Sequence, residues 1–126
     1  MRKKKNVWIY CCMEPSEDVY LKLKRQRERL IDYAKEMGFC VVGFSSDVAN
    51  GVGKARLGWK YLIQTVSEQP MDALLVHSLS QIHVDTCQAL GILEQLKRKG
   101  VTVYSQLEGK LDFGFQSIIG RMEEIK

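Results

Sequence analysis

Two hydrophobic periods alternate along this chain, and their order is the strongest constraint on its fold. Four short apolar runs stand out: Val7–Cys11 (VWIYC), Phe39–Phe44 (FCVVGF), Ala73–His77 (ALLVH) and Val101–Ser105 (VTVYS). They are rich in β-branched and aromatic residues and do not alternate with polar ones, as expected of strands buried on both faces. Between and after them the apolar residues recur at helical spacing. The order βαβαβαβα predicts an α/β fold in three layers, a mostly parallel central sheet with helices on both faces. A length of 126 residues with 45% hydrophobic content suits a single domain over 1–126 with one core.

The first helix is expected to start at Pro15-Ser16-Glu17-Asp18, with Ser16 as its cap and the two acids at the positive end of the dipole. It runs to about Met37 and stops at Gly38. Leu23, Leu30, Tyr33, Ala34 and Met37 face inward, and Gln26 is a polar exception on that face. Lys22, Arg25 and Arg29 form a basic stripe on another face, with Lys24 and Arg27 nearby. Such a stripe suits either a solvated face or contacts to phosphate. Ser45–Gly58 reads as a long loop carrying Lys54 and Arg56, followed by a short helix, Trp59–Ser67, with Leu62, Ile63 and Val66 inward. After the third strand come a turn, Ser78–Val84, and a capping box, Asp85-Thr86-Cys87-Gln88. The next helix turns Ala89, Leu90, Leu93 and Leu96 inward and ends at Lys97-Arg98-Lys99-Gly100. Gln106–Asp112 reads as a loop. A last helix over 113–126 carries an apolar stripe of Phe115, Ile118, Ile119, Met122 and Ile125, still running at Lys126, as expected of a helix that continues in a longer protein.

No apolar run approaches the length of a membrane span. The basic tail, residues 1–6, is followed by no small-residue cleavage site, which points to the cytoplasm. Cys11, Cys12, Cys40 and Cys87 form no CxxC pair. Cys11, Cys40 and Cys87 sit in apolar contexts that suit reduced thiols in or near the core, while Cys11 and Cys12, as strand neighbours, point to opposite faces. With His77 and His83 these cysteines match no metal-ligand spacing. A net charge of +4 and a pI near 8.9 permit nucleic-acid binding without requiring it.

In an open α/β sheet, ligands and reacting groups gather at the carboxyl ends of the strands. Here that end is Tyr10–Asp18, which offers the carboxylate of Glu14 and the hydroxyl of Ser16 but no Arg, Lys or His. Tyr10-Cys11 resembles the opening Tyr-x-Arg-x-Ser of serine recombinases, the resolvase/invertase family. Gln26-Arg27-Glu28 with Tyr33-Ala34 resembles that family's Gln-Arg helix, and Asp47 to Gly51 with Arg56-x-Gly58 is similar to its mobile loop and exit. Leu74-Leu75-Val76 leads to the place of its Asp-Arg-Leu-x-Arg. Gly100-Val101-Thr102-Val103 and Glu108-Gly109 complete a resemblance that covers nearly the whole sequence.

The resemblance implies the N-terminal catalytic domain of a DNA recombinase in which a serine attacks the phosphodiester without metal or other cofactor, and arginines stabilise the developing charge. It also implies a degenerate site. The nucleophile position falls on Glu14, the preceding arginine on Cys12, the Asp-Arg pair on Ser80-Gln81 and the second arginine on Val84; only Arg56 is retained. The expectation is a domain without strand cleavage, with an association or regulatory role, alone as a homo-oligomer or together with an active recombinase, or a mobile-element remnant. The stripe from Phe115 to Ile125 would then serve dimer contacts. Arg56, Lys54, Lys22, Arg25 and Arg29 would give weak, non-specific contacts to DNA phosphate. Two alternatives stand beside it. One is an active recombinase with Ser16 as a fallback nucleophile. The other is a small α/β module for an anionic ligand or protein partner, for which Gly51-Val52-Gly53-Lys54 gives only an incomplete phosphate-loop pattern.

Overall fold

In a computed structural model of the chain, the structure describes residues 4–48, 56–83 and 85–111. Lys54, Val84, residues 1–3 and the association stripe Phe115, Ile118, Ile119, Met122 and Ile125 lie outside the described residues. Five strands form one sheet: β1 (Asn6–Met13), β2 (Cys40–Val48), β3 (Ala73–Val76), β4 (Thr102–Ser105) and β5 (Gly109–Leu111). The three described helices are α1 (Val19–Glu36), α2 (Leu57–Glu68) and α3 (Thr86–Arg98), and a 3-10 turn, Leu79–Gln81, follows β3.

The strand order is β2-β1-β3-β4-β5. β1 pairs in parallel with β2 and β3, β3 pairs in parallel with β4, and β4 pairs antiparallel with β5. The chain thus winds outward from β1 to β2, then crosses back over β1 to β3 and β4. Right-handed crossovers in opposite directions put their helices on opposite faces. Val7, Ile9, Cys11, Leu75 and Tyr104 pack with Val19, Leu23, Leu30 and Ala34 of α1. Trp8, Tyr10, Leu74, Val76 and Val103 pack on the other side with Leu62 of α2 and Ala89, Leu90, Leu93 and Leu96 of α3. The period of two along β1 therefore feeds two separate cores, and Cys11 and Cys12 do part to opposite faces.

α3 follows its sequence signals closely. The Asp85 carboxylate accepts from the Gln88 backbone N–H at 2.9 Å, and Gly100 ends the helix at φ +84°, a backbone conformation that a Cβ disfavours. At the start of α1 the Ser16 cap expected from the sequence does not form. Asp18 holds the N-cap position and no side-chain cap bond is made. The chain adds one more turn first, with the Val19 N–H donating to the Ser16 carbonyl at 3.3 Å, and the Ser16 hydroxyl donates to Asp18 Oδ1 at 3.3 Å.

Other expectations are corrected by where the elements sit. β2 is longer than the run Phe39–Phe44 and is an edge strand, so Val41, Val42, Phe44 and Val48 are exposed rather than buried. Cys40 lies on it and is exposed, and so is Cys87 in the first turn of α3; of the three thiols expected near the core only Cys11 is buried. Met37 is exposed at the end of α1, while Gln26 is buried in its inward stripe. In α2 the buried positions are Leu62 and Thr65, with Ile63 and Val66 only partly covered. Part of the loop expected over Gln106–Asp112 is β5, which closes the edge beside β4.

Candidate functional site

The point where the winding reverses lies between β1 and β3, and the crevice at their carboxyl ends is where such sheets hold ligands. In this chain one side chain ties that crevice together. Gln81, at the end of the 3-10 turn after β3, donates from Nε2 to the Cys12 carbonyl of β1 at 3.1 Å and to Gln26 Oε1 of α1 at 3.0 Å. Its Oε1 accepts from the His77 backbone N–H at 3.1 Å. This explains the polar residue in the apolar stripe of α1: Gln26 is buried because Gln81 is its partner.

Arg56 approaches the same turn from the start of α2. Its Nη1 donates to the Gln81 carbonyl and its Nη2 to the Ile82 carbonyl, each at 2.7 Å. The guanidinium carbon lies 5.0 Å from the Trp59 ring centre and 5.9 Å from that of Tyr10. Asp47, at the end of β2, builds the scaffold behind it. Asp47 accepts from the Gly58 and Trp59 backbone N–H groups at 2.8 and 2.9 Å and from the Tyr10 hydroxyl at 2.7 Å. A carboxylate from β2, 11 residues before Gly58, thus caps α2, whose own N-cap residue, Arg56, has no side-chain acceptor to offer. Gly58 is required here because a Cβ would stand 2.5 Å from the Ser46 carbonyl oxygen.

The basic stripe of α1 borders this crevice. Lys22, Arg25 and Arg29 line an open cavity of about 440 Å³ together with Met13, Gln26, His77 and Gln81. Lys22 pairs with Asp18 at 3.3 Å across an exposed helix turn, which holds the Asp18 carboxyl below its ordinary value. Among the described residues, Arg25 and Arg29 have no ion-pair partner. At the far side, Glu108 accepts from the Leu79 N–H and from the Ser105 hydroxyl, and His77 Nδ1 lies 3.0 Å from Gln106 Oε1.

Of the residues singled out in the sequence, Cys12 (through its carbonyl), Gln81 and Arg56 join one hydrogen-bonded cluster, and Lys22, Arg25 and Arg29 face it. Glu14 and Ser16 lie on the exposed turn after β1, and the Ser80 hydroxyl lies 2.7 Å from that of Ser78. Sequence reasoning placed Tyr10 in the crevice stretch and Asp47 in a loop motif without giving either a role, and it did not identify Trp59 or His77 as parts of the site. Gln26 carried a signal, as a polar residue at a core-facing helical position. Among the described residues no group of three or more His, Cys, Asp or Glu could hold a metal, and no helix is long and apolar enough to cross a membrane.

Burial raises the Tyr10 phenol above its usual range, and its hydrogen bond to Asp47 adds to this. Burial also pushes the Cys11 thiol up to about 12, against the pull of the Arg27 guanidinium. The unfolded chain releases these protons near the ordinary values of 9.0 and 10.0, so above pH 9 it binds fewer protons than the folded chain. Their contribution to stability is complete below about pH 9 and is lost as pH rises toward 12. Urea midpoints should therefore be steady below that point and fall above it. In the double variant Cys11→Ala, Tyr10→Phe the slope above pH 9 should be shallower.

The sequence profile of the family described as "Resolvase, N terminal domain" matches residues 13–124. No curated protein sequence matches. Among solved structures, the chain is similar to the C-terminal catalytic domain of ISC1926 TnpA, an IS607-like serine recombinase. That match has 25% identity and a TM-score of 0.72, and covers 95% of this chain and 79% of the other. The N-terminal catalytic domain of TP901-1 integrase matches at 20% identity and TM-score 0.75, over 97% of this chain and 99% of that one. A resolvase family site-specific recombinase from Streptococcus pneumoniae matches at 19% identity and TM-score 0.76, over 97% and 87%. The last two likenesses speak to the fold alone.

Proposed function

From the premise that this chain belongs to the resolvase N-terminal domain family, we propose that it is a recombinase domain that no longer cuts DNA and acts by association. The family acts on DNA and oligomerises, and the resemblance aligns Glu14 with its nucleophile, Cys12 and Val84 with two of its arginines and Ser80-Gln81 with its Asp-Arg pair. The observation that carries the proposal is the arrangement around Gln81. Where the family pattern calls for an arginine aimed at phosphate, an amide is engaged on three protein groups: Cys12, Gln26 and His77. The retained Arg56 directs both terminal nitrogens at backbone carbonyls. Loss of one electrostatic donor lowers a rate by about a hundred- to a thousandfold, and here several are replaced together with the nucleophile.

Cleavage of a phosphodiester without metal requires an attacking oxygen and positive charge at the phosphorus oxygens. A carboxylate at position 14 repels the phosphate instead. Lys22, Arg25 and Arg29 still border the crevice, and they are suited to hold a DNA backbone without reacting with it. The domain would assemble with itself or with an active recombinase and take a place on DNA without breaking a strand, as the single domain 1–126 with the stripe Phe115 to Ile125 at its contact.

Incubation with supercoiled DNA and denaturing electrophoresis provides the test. No covalent protein–DNA adduct is expected, and recombination by an active family member should fall when this chain is added in excess. An adduct that disappears in Ser16→Ala would establish the alternative, cleavage by Ser16, and overturn the proposal.

A further inference from the structure

α1 has a second basic flank, on the opposite side of its buried stripe from Lys22, Arg25 and Arg29. Tyr20, Lys24 and Arg27 recur at i, i+4 and i+7 and so share one face. That face looks toward β2. In the parallel register Ile9 pairs with Phe44 and Cys11 with Ser46, so Phe44 and Ser46 lie on the same side of the sheet as α1. Between helix and strand is a cavity of about 150 Å³, lined among others by Cys11, Tyr20, Lys24, Arg27, Phe44 and Ser46. A cavity of about 150 Å³ has room for one six-membered ring.

The chemistry of this pocket is selective. No carboxylate lines it. The Arg27 guanidinium carbon lies over the Phe44 ring, 4.6 Å from its centre, a cation–π contact already formed. Phe44 is nevertheless 52% exposed and Tyr20 78% exposed. Among the described residues Lys24 and Arg27 have no hydrogen-bond or ion-pair partner, and the Ser46 hydroxyl has none either. Exposed aromatic rings, cations with free N–H groups and a hydroxyl, without an acid, suit a ligand that combines a flat ring with an anion. We infer that this pocket binds a nucleotide, its base against Phe44 and Tyr20 and its phosphate on Lys24 and Arg27, presented by an unpaired stretch of DNA. The inference stands whether or not the domain cuts DNA, because it uses none of the residues aligned with the family's chemistry.

The test is fluorescence anisotropy of a labelled short oligo(dT) with the full chain. Oligo(dT) should bind more tightly than a duplex of equal length. Phe44→Ala and Arg27→Gln should each weaken binding at least about tenfold, the scale of losing one base stack. Tyr20→Ala provides a second position, on the exposed side of α1, that leaves the core intact. Lys60→Gln, a cation on α2, should change affinity less than about twofold. Competition separates the two sources of the ligand: displacement by free thymidine monophosphate at comparable concentration identifies the mononucleotide as occupant, and its failure to displace identifies the strand. The inference is overturned if oligo(dT) does not bind, if Phe44→Ala and Tyr20→Ala both leave affinity unchanged, or if polyglutamate competes as well as oligo(dT).

Discussion

Asp47→Ala is expected to lower unfolding stability by about 2–4 kcal/mol, from the loss of a helix cap and a buried hydroxyl left without an acceptor. The carboxylate holds the Gly58 and Trp59 N–H groups at the start of α2 and the Tyr10 hydroxyl in the core at once. No neighbour replaces it, since the N-cap residue of α2 is Arg56. Tyr10→Phe in the same background separates the two parts. If the phenol left unpaired accounts for much of the loss, the double variant should be less destabilised than the sum of the singles. The damage should also spread to Arg56, whose stack on Trp59 depends on the first turn of α2. Urea unfolding followed by tryptophan fluorescence reads both effects, because Trp8 and Trp59 flank this junction. A change under about 0.5 kcal/mol would mean that Asp47 is no more than a surface residue.

Gln81→Ala should cost about 2–4 kcal/mol as well, for the same physical reason at a different place. Truncation leaves the Cys12 carbonyl, Gln26 Oε1 and the His77 N–H without their partner in a part-buried crevice. The informative companion is Gln26→Leu with Gln81→Leu. Removing both ends of a buried polar pair and filling the space with apolar groups costs far less than removing one end, so the double variant should recover part of the loss. If Gln81→Ala is neutral, the amide does not tie β1, α1 and the turn after β3 together, and the case for a site engaged with its own backbone weakens with it.

The two expectations concern residues of very different legibility. α3 was readable almost to the residue, because its signals are local: an acid at the cap, apolar residues at 89, 90, 93 and 96, basic residues and Gly100 at the end. β1 was readable because a strand covered on both faces must be apolar throughout. Nothing in FCVVGF distinguishes an edge strand from a central one, since position in a sheet depends on which strands arrive later in the chain. The same is true of β5, a strand of three residues that exists because β4 offers it an edge. Ser16 was a sound cap by local propensity, and a competing turn with Asp18 displaced it.

The site divides along the same line. The alternation of strands and helices, the βαβ order and the motif spacing determined that this is a resolvase-like domain, and they located its crevice at the end of β1. Folding alone decided what fills that crevice. Gln26 and Gln81 lie 55 residues apart and Tyr10 and Asp47 lie 37 apart, and each pair meets only when the sheet brings separate elements together. Hydrophobic periodicity is a local property of the chain and survives in the sequence. The partner of a buried amide or carboxylate is chosen by packing, and only the tertiary structure names it.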